Sequence, residues 1–223
     1  MHTVLLAGNA YAARILLGYL AHDTRYTVVG CVVDDAYTES GSLHNLPNIP
    51  LSEVTGRMPP DTVSVIMAMG YGDVNGTRAR FFTTLKEKGY TIETYIHERA
   101  TILTDEPIGE GCVVMPGVLI EPGATIGKDT FLWGNAVVAH DAKVGDHCWI
   151  AAGAVLSGMA KIGNRTFIGV NATISNKVEI GERNIVGGSA FMSKNTKDDM
   201  VHLARSGEPF RCTAEEYARY FGL

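Results

Sequence analysis

Large aliphatic residues recur at every sixth position through the second half of the chain. Stepping from Ile102 gives Ile108, Val114, Ile120, Ile126, Leu132, Val138, Val144, Ile150, Leu156, Ile162, Ile168, Ile174, Ile180, Val186 and Met192, sixteen positions without one insertion. At average aliphatic usage, chance would give such a run about once in tens of millions of trials. Four residues after most of them stands a small side chain, such as Ala124, Ala136, Ala142, Cys148, Ala154 and Ala172. Two and three residues after come turn formers: Pro116-Gly117, Pro122-Gly123, Gly134-Asn135, Asn164-Arg165. Short strands therefore alternate with tight corners, and a period of six is not a multiple of the helical 3.6. The pattern predicts a parallel β-helix of triangular section with the aliphatics stacked inside. It has room for about five coils, a column about 24 Å tall at the usual strand spacing.

The first hundred residues lack this period. Apolar runs at 3–7, 27–33, 63–69 and 91–96 read as buried strands, and 11–20 and 75–88 as helices, the second closed by Gly89. Strand–helix alternation predicts a small α/β domain with a doubly wound parallel sheet. Thr213 and Glu216 form a capping box opening a short C-terminal helix at 213–221. The expected division is 1–98, 99–197 and a C-terminal extension, 198–223.

Residues flanking each inner aliphatic point outward, because strand side chains alternate. Collected every eighteen residues they give three faces. One carries Val113, Phe131, Trp149, Phe167 and Ile185, with Met115 and Trp133 beside them. A second carries Leu119, Val137, Val155, Thr173 and Phe191; the third carries Pro107, Thr125, Lys143, Lys161 and Glu179. A monomer would not expose two apolar stripes. Two such faces meeting at an uncharged edge predict a closed trimer, each prism lending one face to each neighbour.

Charge excludes one class of partner. Acids outnumber bases 24 to 19 and no Lys/Arg block occurs, which argues against nucleic acid. The opening apolar run is too short for a signal peptide, and no run of about 18 apolar residues exists to span a membrane. Four scattered cysteines, with no CxxC pair, read as buried fillers or idle thiols in a reducing cytoplasm.

Gly8-Asn9-Ala10-Tyr11-Ala12-Ala13 follows the first strand and opens a helix, with Asp34 further on, the position of a dinucleotide fingerprint. It fits a phosphate held over a helix N-terminus, or equally a tight turn that needs small residues. A second mononucleotide half is missing, so a nucleotide-sugar fits better than a whole dinucleotide. Among seven histidines, His140 stands out at a corner, where a side chain must project, beside the second apolar face. A neutral imidazole suits removal of a proton from an attacking amine or hydroxyl, and Asp141 could fix its tautomer. His147 raises the question of a metal, but its spacing of seven from His140 puts it on a different corner.

The stretch Gly70 to Arg78 (Gly-Tyr-x-Asp-x-Asn-x-x-Arg), then Tyr95-Ile96-His97 leading into a hexapeptide prism with His140-Asp141, resembles the sialic acid O-acetyltransferase-like family of hexapeptide acyltransferases. That family includes N-acetyltransferases of nucleotide-linked amino sugars in bacterial surface glycan synthesis. The resemblance implies a Rossmann-like N-terminal domain, a left-handed β-helix and a homotrimer. It implies acetyl-CoA as co-substrate, no metal, His140 as base and Asp141 as its partner. Acyl-CoA contacts would fall on Trp149, Gly158, Val170 and Gly188. The nucleotide-sugar would lie at Gly8, Asn9, Ala10, Asp34, Asp35 and Gly70. O-acetylation of a sugar hydroxyl, and a non-catalytic nucleotide-sugar-binding prism, are the alternatives.

Overall fold

The computed structural model describes residues 1–39 and 41–221. In the N-terminal part, β1 (His2–Ala7), β2 (Tyr26–Val33), β3 (Asn48–Pro50) and β4 (Ser64–Met67) form a parallel sheet in the order β3-β2-β1-β4. Helix α1 (Tyr11–Leu20) connects β1 to β2, the single turn α2 (Val54–Arg57) connects β3 to β4, and α3 (Gly76–Glu87) follows β4. Strand alternation sorts the core into two layers. Val4 and Leu6 pack with Ala13, Leu16 and Leu20 of α1, whereas Leu5 and Ala7 pack with Phe81, Phe82 and Leu85 of α3. Helix α3 ends as the sequence predicts, with Gly89 just beyond it at φ +88°. Edge strand β3 was not expected. Its Pro50 is tolerated because an edge strand has an unpaired side.

The expected strand at 91–96 divides between the two parts of the molecule. Ile92 bridges Val65 of β4, while Tyr95–Ile96 pairs with Val113–Val114 as the first rung of a prism face. From there the chain coils as a parallel β-helix. Face 1 stacks Tyr95–Ile96, Val113–Val114, Phe131–Leu132, Trp149–Ile150, Phe167–Ile168, Ile185–Val186 and Val201–His202. Face 2 stacks six two-residue strands from Thr101–Ile102 to Phe191–Met192, and face 3 stacks four from Thr125–Ile126 to Glu179–Ile180. The aliphatic series fills the interior, fully buried at most rungs. Each rung ends in a sharp corner, and every sixth residue from Gly111 to Ser189 has positive φ. Non-glycine residues there, such as Asp129, Asp141 and His147, are held in a region that L residues ordinarily avoid.

One expectation about the outer faces is corrected. Face 1 does not wait for another chain: the N-terminal part of the same chain covers it. Val113, Met115, Phe131 and Trp149 are 0–5% exposed and share one core with α1 and the β1 side chains that face it. The stripe is sticky because it carries the second domain, with about 1.5–3 kcal/mol for each large side chain fully buried. Face 2 is different. Leu119, Val137, Val155 and Thr173 are partly exposed and Phe191 is 67% exposed, so among the described residues this face is left largely uncovered. The two-stripe argument therefore reduces to one open apolar face.

At the C-terminal end the capping box forms as expected. The Thr213 hydroxyl accepts from Glu216 N, and the Glu216 carboxylate accepts from Thr213 N, opening α4 (Ala214–Phe221). Among the described residues, no helix is long and apolar enough to cross a membrane.

Candidate functional site

His140 and Asp141 occupy the corner between Val137–Val138 of face 2 and Lys143–Val144 of face 3. Asp141 has φ 58°, and its Oδ2 lies 3.1 Å from His140 Nδ1. An ionised carboxylate only accepts, so in a neutral imidazole this contact places the ring proton on Nδ1 and leaves Nε2 as the acceptor. The His140 side chain is 50% exposed. Two further contacts hold it. Its backbone N–H donates to Glu121 Oε2 at 2.8 Å, and the ring lies over Gly158 on the next coil, where any Cβ would run into the imidazole. Gly158, expected from the resemblance as an acyl-CoA contact, is thus also the space in which the histidine ring sits.

The other edge of face 2 carries a cleft of about 550 Å³ between the prism and the N-terminal part. Ala10, Tyr11 and Ile15 of the first loop and α1 line one wall, Gly70 and Tyr71 a second, and Trp133, Trp149, Phe167 and Val170 the prism side. No charged side chain lines it. Tyr71 packs on Trp149 and Phe167, with ring centroids 5.1 and 4.7 Å apart. The sequence pattern marks Trp133 and Phe167 only as part of an apolar face. Tyr71 lay inside the Gly70–Arg78 stretch without a role, and its neighbouring glycine was the only signal.

The expected nucleotide residues separate into two groups. Ala10 and Gly70 share the cleft, whereas Gly8, at φ +99°, lies beside Met69 and does not line it. Ala10 is the N-cap of α1, and its side chain offers no capping hydrogen bond. Asn9 Nδ2 donates to Asn48 Oδ1 at 3.3 Å. Asp34 and Asp35 border a different hollow, with Leu51, Ser52, Thr84 and Lys88. Asp34 caps its own short turn by accepting from Ala36 N, and Asp35 accepts from Ser52 N, which holds its carboxyl below the usual carboxylate range. The expected acyl-CoA residues also divide: Trp149 and Val170 line the cleft, Gly188 stacks on Val170, and Gly158 lies with His140 across face 2.

His147 is engaged elsewhere. Its Nδ1 lies 2.8 Å from Asp129 Oδ2, and Asp129 pairs with Arg78. Among the described residues, no three His, Cys, Asp or Glu side chains come together as a metal-binding group.

Residues 108–140 and 123–158 match the family described as bacterial transferase hexapeptide (six repeats), and residues 159–189 match the hexapeptide repeat of succinyl-transferase. No curated protein sequence matches the chain. Among solved structures, the acetyltransferase domain of PglB from Neisseria gonorrhoeae FA1090 is 23% identical with a TM-score of 0.81, over 94% of this chain and 100% of that one. PerB from Caulobacter crescentus, in complex with CoA and GDP-perosamine, is 24% identical with a TM-score of 0.78, over 92% and 94%. WeeI from Acinetobacter baumannii AYE is 20% identical with a TM-score of 0.80, over 92% and 97%. At these identities the likeness is one of fold. Residues 108–189 thus match hexapeptide-repeat models, and over 92–94% of its length the chain has a two-part fold similar to the PglB acetyltransferase domain and PerB.

Proposed function

We propose that this chain is an acetyl-CoA-dependent N-acetyltransferase acting on the amino group of a nucleotide-linked sugar, in bacterial surface glycan synthesis in the cytoplasm. Residues 1–98 hold the nucleotide-sugar through Gly8, Asn9, Ala10 and Gly70, and residues 99–197 form a left-handed prism that binds the acyl donor. The observation that carries the reading is the corner at His140. A half-exposed imidazole there has one nitrogen fixed by Asp141 and the other free, on a fold whose solved relatives include one bound to CoA and GDP-perosamine. His140 Nε2 takes the proton from the amine as it attacks the thioester carbonyl, Asp141 stabilises the imidazolium, and as the C–S bond breaks the imidazolium returns that proton to the departing CoA thiolate.

The site is completed by a second copy. Within one chain, His140 and the aromatic cleft lie on opposite edges of face 2, the open apolar face. A closed threefold arrangement through that face brings the histidine edge of one prism to the cleft edge of the next. Trp149, Val170 and Gly188 of one chain and Gly158 of its neighbour then border one acyl-CoA groove.

Release of CoA thiol from acetyl-CoA, measured across a panel of nucleotide-linked sugars that includes GDP-perosamine and hydroxyl-only counterparts, tests this directly. Turnover confined to amino sugars is expected. Turnover with hydroxyl sugars alone would replace the reading with O-acetylation, and binding of sugars without any thiol release would make the prism a non-catalytic binder.

A further inference from the structure

The Gly70–Arg78 stretch ends in a residue that no ligand reaches. Arg78, on the first turns of α3, is 0% exposed, as is Asp129 at a corner of the prism. Arg78 Nη2 donates to Asp129 Oδ1 at 2.6 Å, and its Nε donates to Oδ2 at 3.2 Å. His147 Nδ1 adds a third bond to that carboxylate, at 2.8 Å, and the His147 ring meets Phe82 of α3 edge-on. The carboxylate that accepts from the guanidinium accepts here too, so His147 Nδ1 is the donor. The guanidinium carbon lies 5.9 Å from the ring centroids of both Trp149 and Phe131. Earlier in the stretch, Asn75 is buried at φ 60° and donates to the carbonyls of Arg165 and Thr166, and the Asp73 carbonyl accepts from Arg165.

We propose that Arg78 is a positioning residue for the cleft: paired with Asp129, it fixes the indole of Trp149 from behind and so sets the wall that Tyr71 completes. A buried ion pair is a poor choice for adhesion alone, since apolar residues of similar size often hold two surfaces as well or better. What a bidentate pair adds is orientation. The fork admits one arrangement of guanidinium against carboxylate, and the planar cation lies against the aromatic faces. Arg78 therefore couples the seating of α3 on the prism to the position of Trp149. The ligand affected follows from the function proposed above, in which Trp149 borders the acyl donor. The coupling itself does not depend on that reading.

Three variants of the full-length protein test this. Arg78→Met/Asp129→Asn removes both charges together and keeps a residue that tolerates positive φ at 129. Arg78→Lys keeps the charge without the fork. Lys86→Ala removes another contact between α3 and the prism, the Lys86–Glu110 pair, neither of whose residues lines the cleft. Acetyl-CoA affinity is read by calorimetry, and acrylamide quenching reports tryptophan exposure. The double variant is expected to stay folded, to bind acetyl-CoA at least tenfold more weakly and to show increased quenching. Arg78→Lys should fall between it and wild type, and Lys86→Ala should match wild type. Equal losses from Lys86→Ala and Arg78→Lys would make Arg78 mere adhesive and overturn the proposal. So would wild-type affinity and quenching in either folded Arg78 variant. A wild-type protein that ignores acetyl-CoA would overturn the proposed donor, while the quenching series would still decide the role of Arg78.

Discussion

His140 and Gly158 act as one unit, because the ring of the first occupies the space left by the second. His140→Asn keeps a polar corner residue, so folding should persist while turnover falls on the order of 10²–10⁴-fold, the usual worth of a positioned base. Gly158→Ala should lower turnover as well, by pushing the ring aside while every titratable group remains. Steady-state rates alongside melting curves check both, and a folded His140→Asn protein with normal turnover would remove the histidine from the chemistry. The cysteines make a separate residue-scale prediction. Burial pushes the Cys112 and Cys148 thiols up to about 12 and Cys31 up to about 11, whereas Cys212 is partly exposed. Thiolate is the reactive form, so a native protein should show one readily titrated thiol, and all four once denatured. The outward corner position of His140 was legible in the sequence, because the six-residue period places it between two rungs. Arg78 was not legible as a positioning residue, since no local pattern marks a partner 51 residues away.

Strands and faces were legible in proportion to how much local periodicity decides them. The six-residue period specifies every inner rung from Ile102 to Met192, because each aliphatic either points inward or breaks the column. Alternation likewise identifies which residues of face 1 point outward, but cannot say what lies over them. That depends on where the sheet of β1 to β4 docks, which is set by tertiary contacts such as Asn75 with Arg165 and Thr166. Short β3 was missed for a related reason: three residues with a proline give no period. The two apolar faces now predict opposite behaviour for the same residue type. Phe131→Ala, under the N-terminal sheet, should destabilise the folded chain by about 3–5 kcal/mol. Phe191→Ser, on the open face, should barely change the stability of a single chain but weaken self-association. Denaturant melts and sedimentation separate the two, and a loss of association without destabilisation in Phe131→Ala would return face 1 to the role of an assembly surface.

At the scale of the whole molecule, a ten-residue helix and one aromatic stripe join a parallel sheet to a coiled prism, leaving a single apolar face bare. Composition and period made the two-part plan readable; the division of labour between faces was not, because it exists only once the parts have docked. The bare face has the histidine corner along one margin and the aromatic cleft along the other. In the threefold assembly proposed above, two differently crippled chains should therefore rescue each other. Mixing His140→Asn subunits with Tyr71→Ala subunits under refolding gives interfaces at which an intact histidine meets an intact cleft. With random exchange in equal amounts, about a quarter of all interfaces regain both halves, so activity should return to roughly that fraction from two nearly dead preparations. A mixture that stays as inactive as its components would mean that each chain works alone.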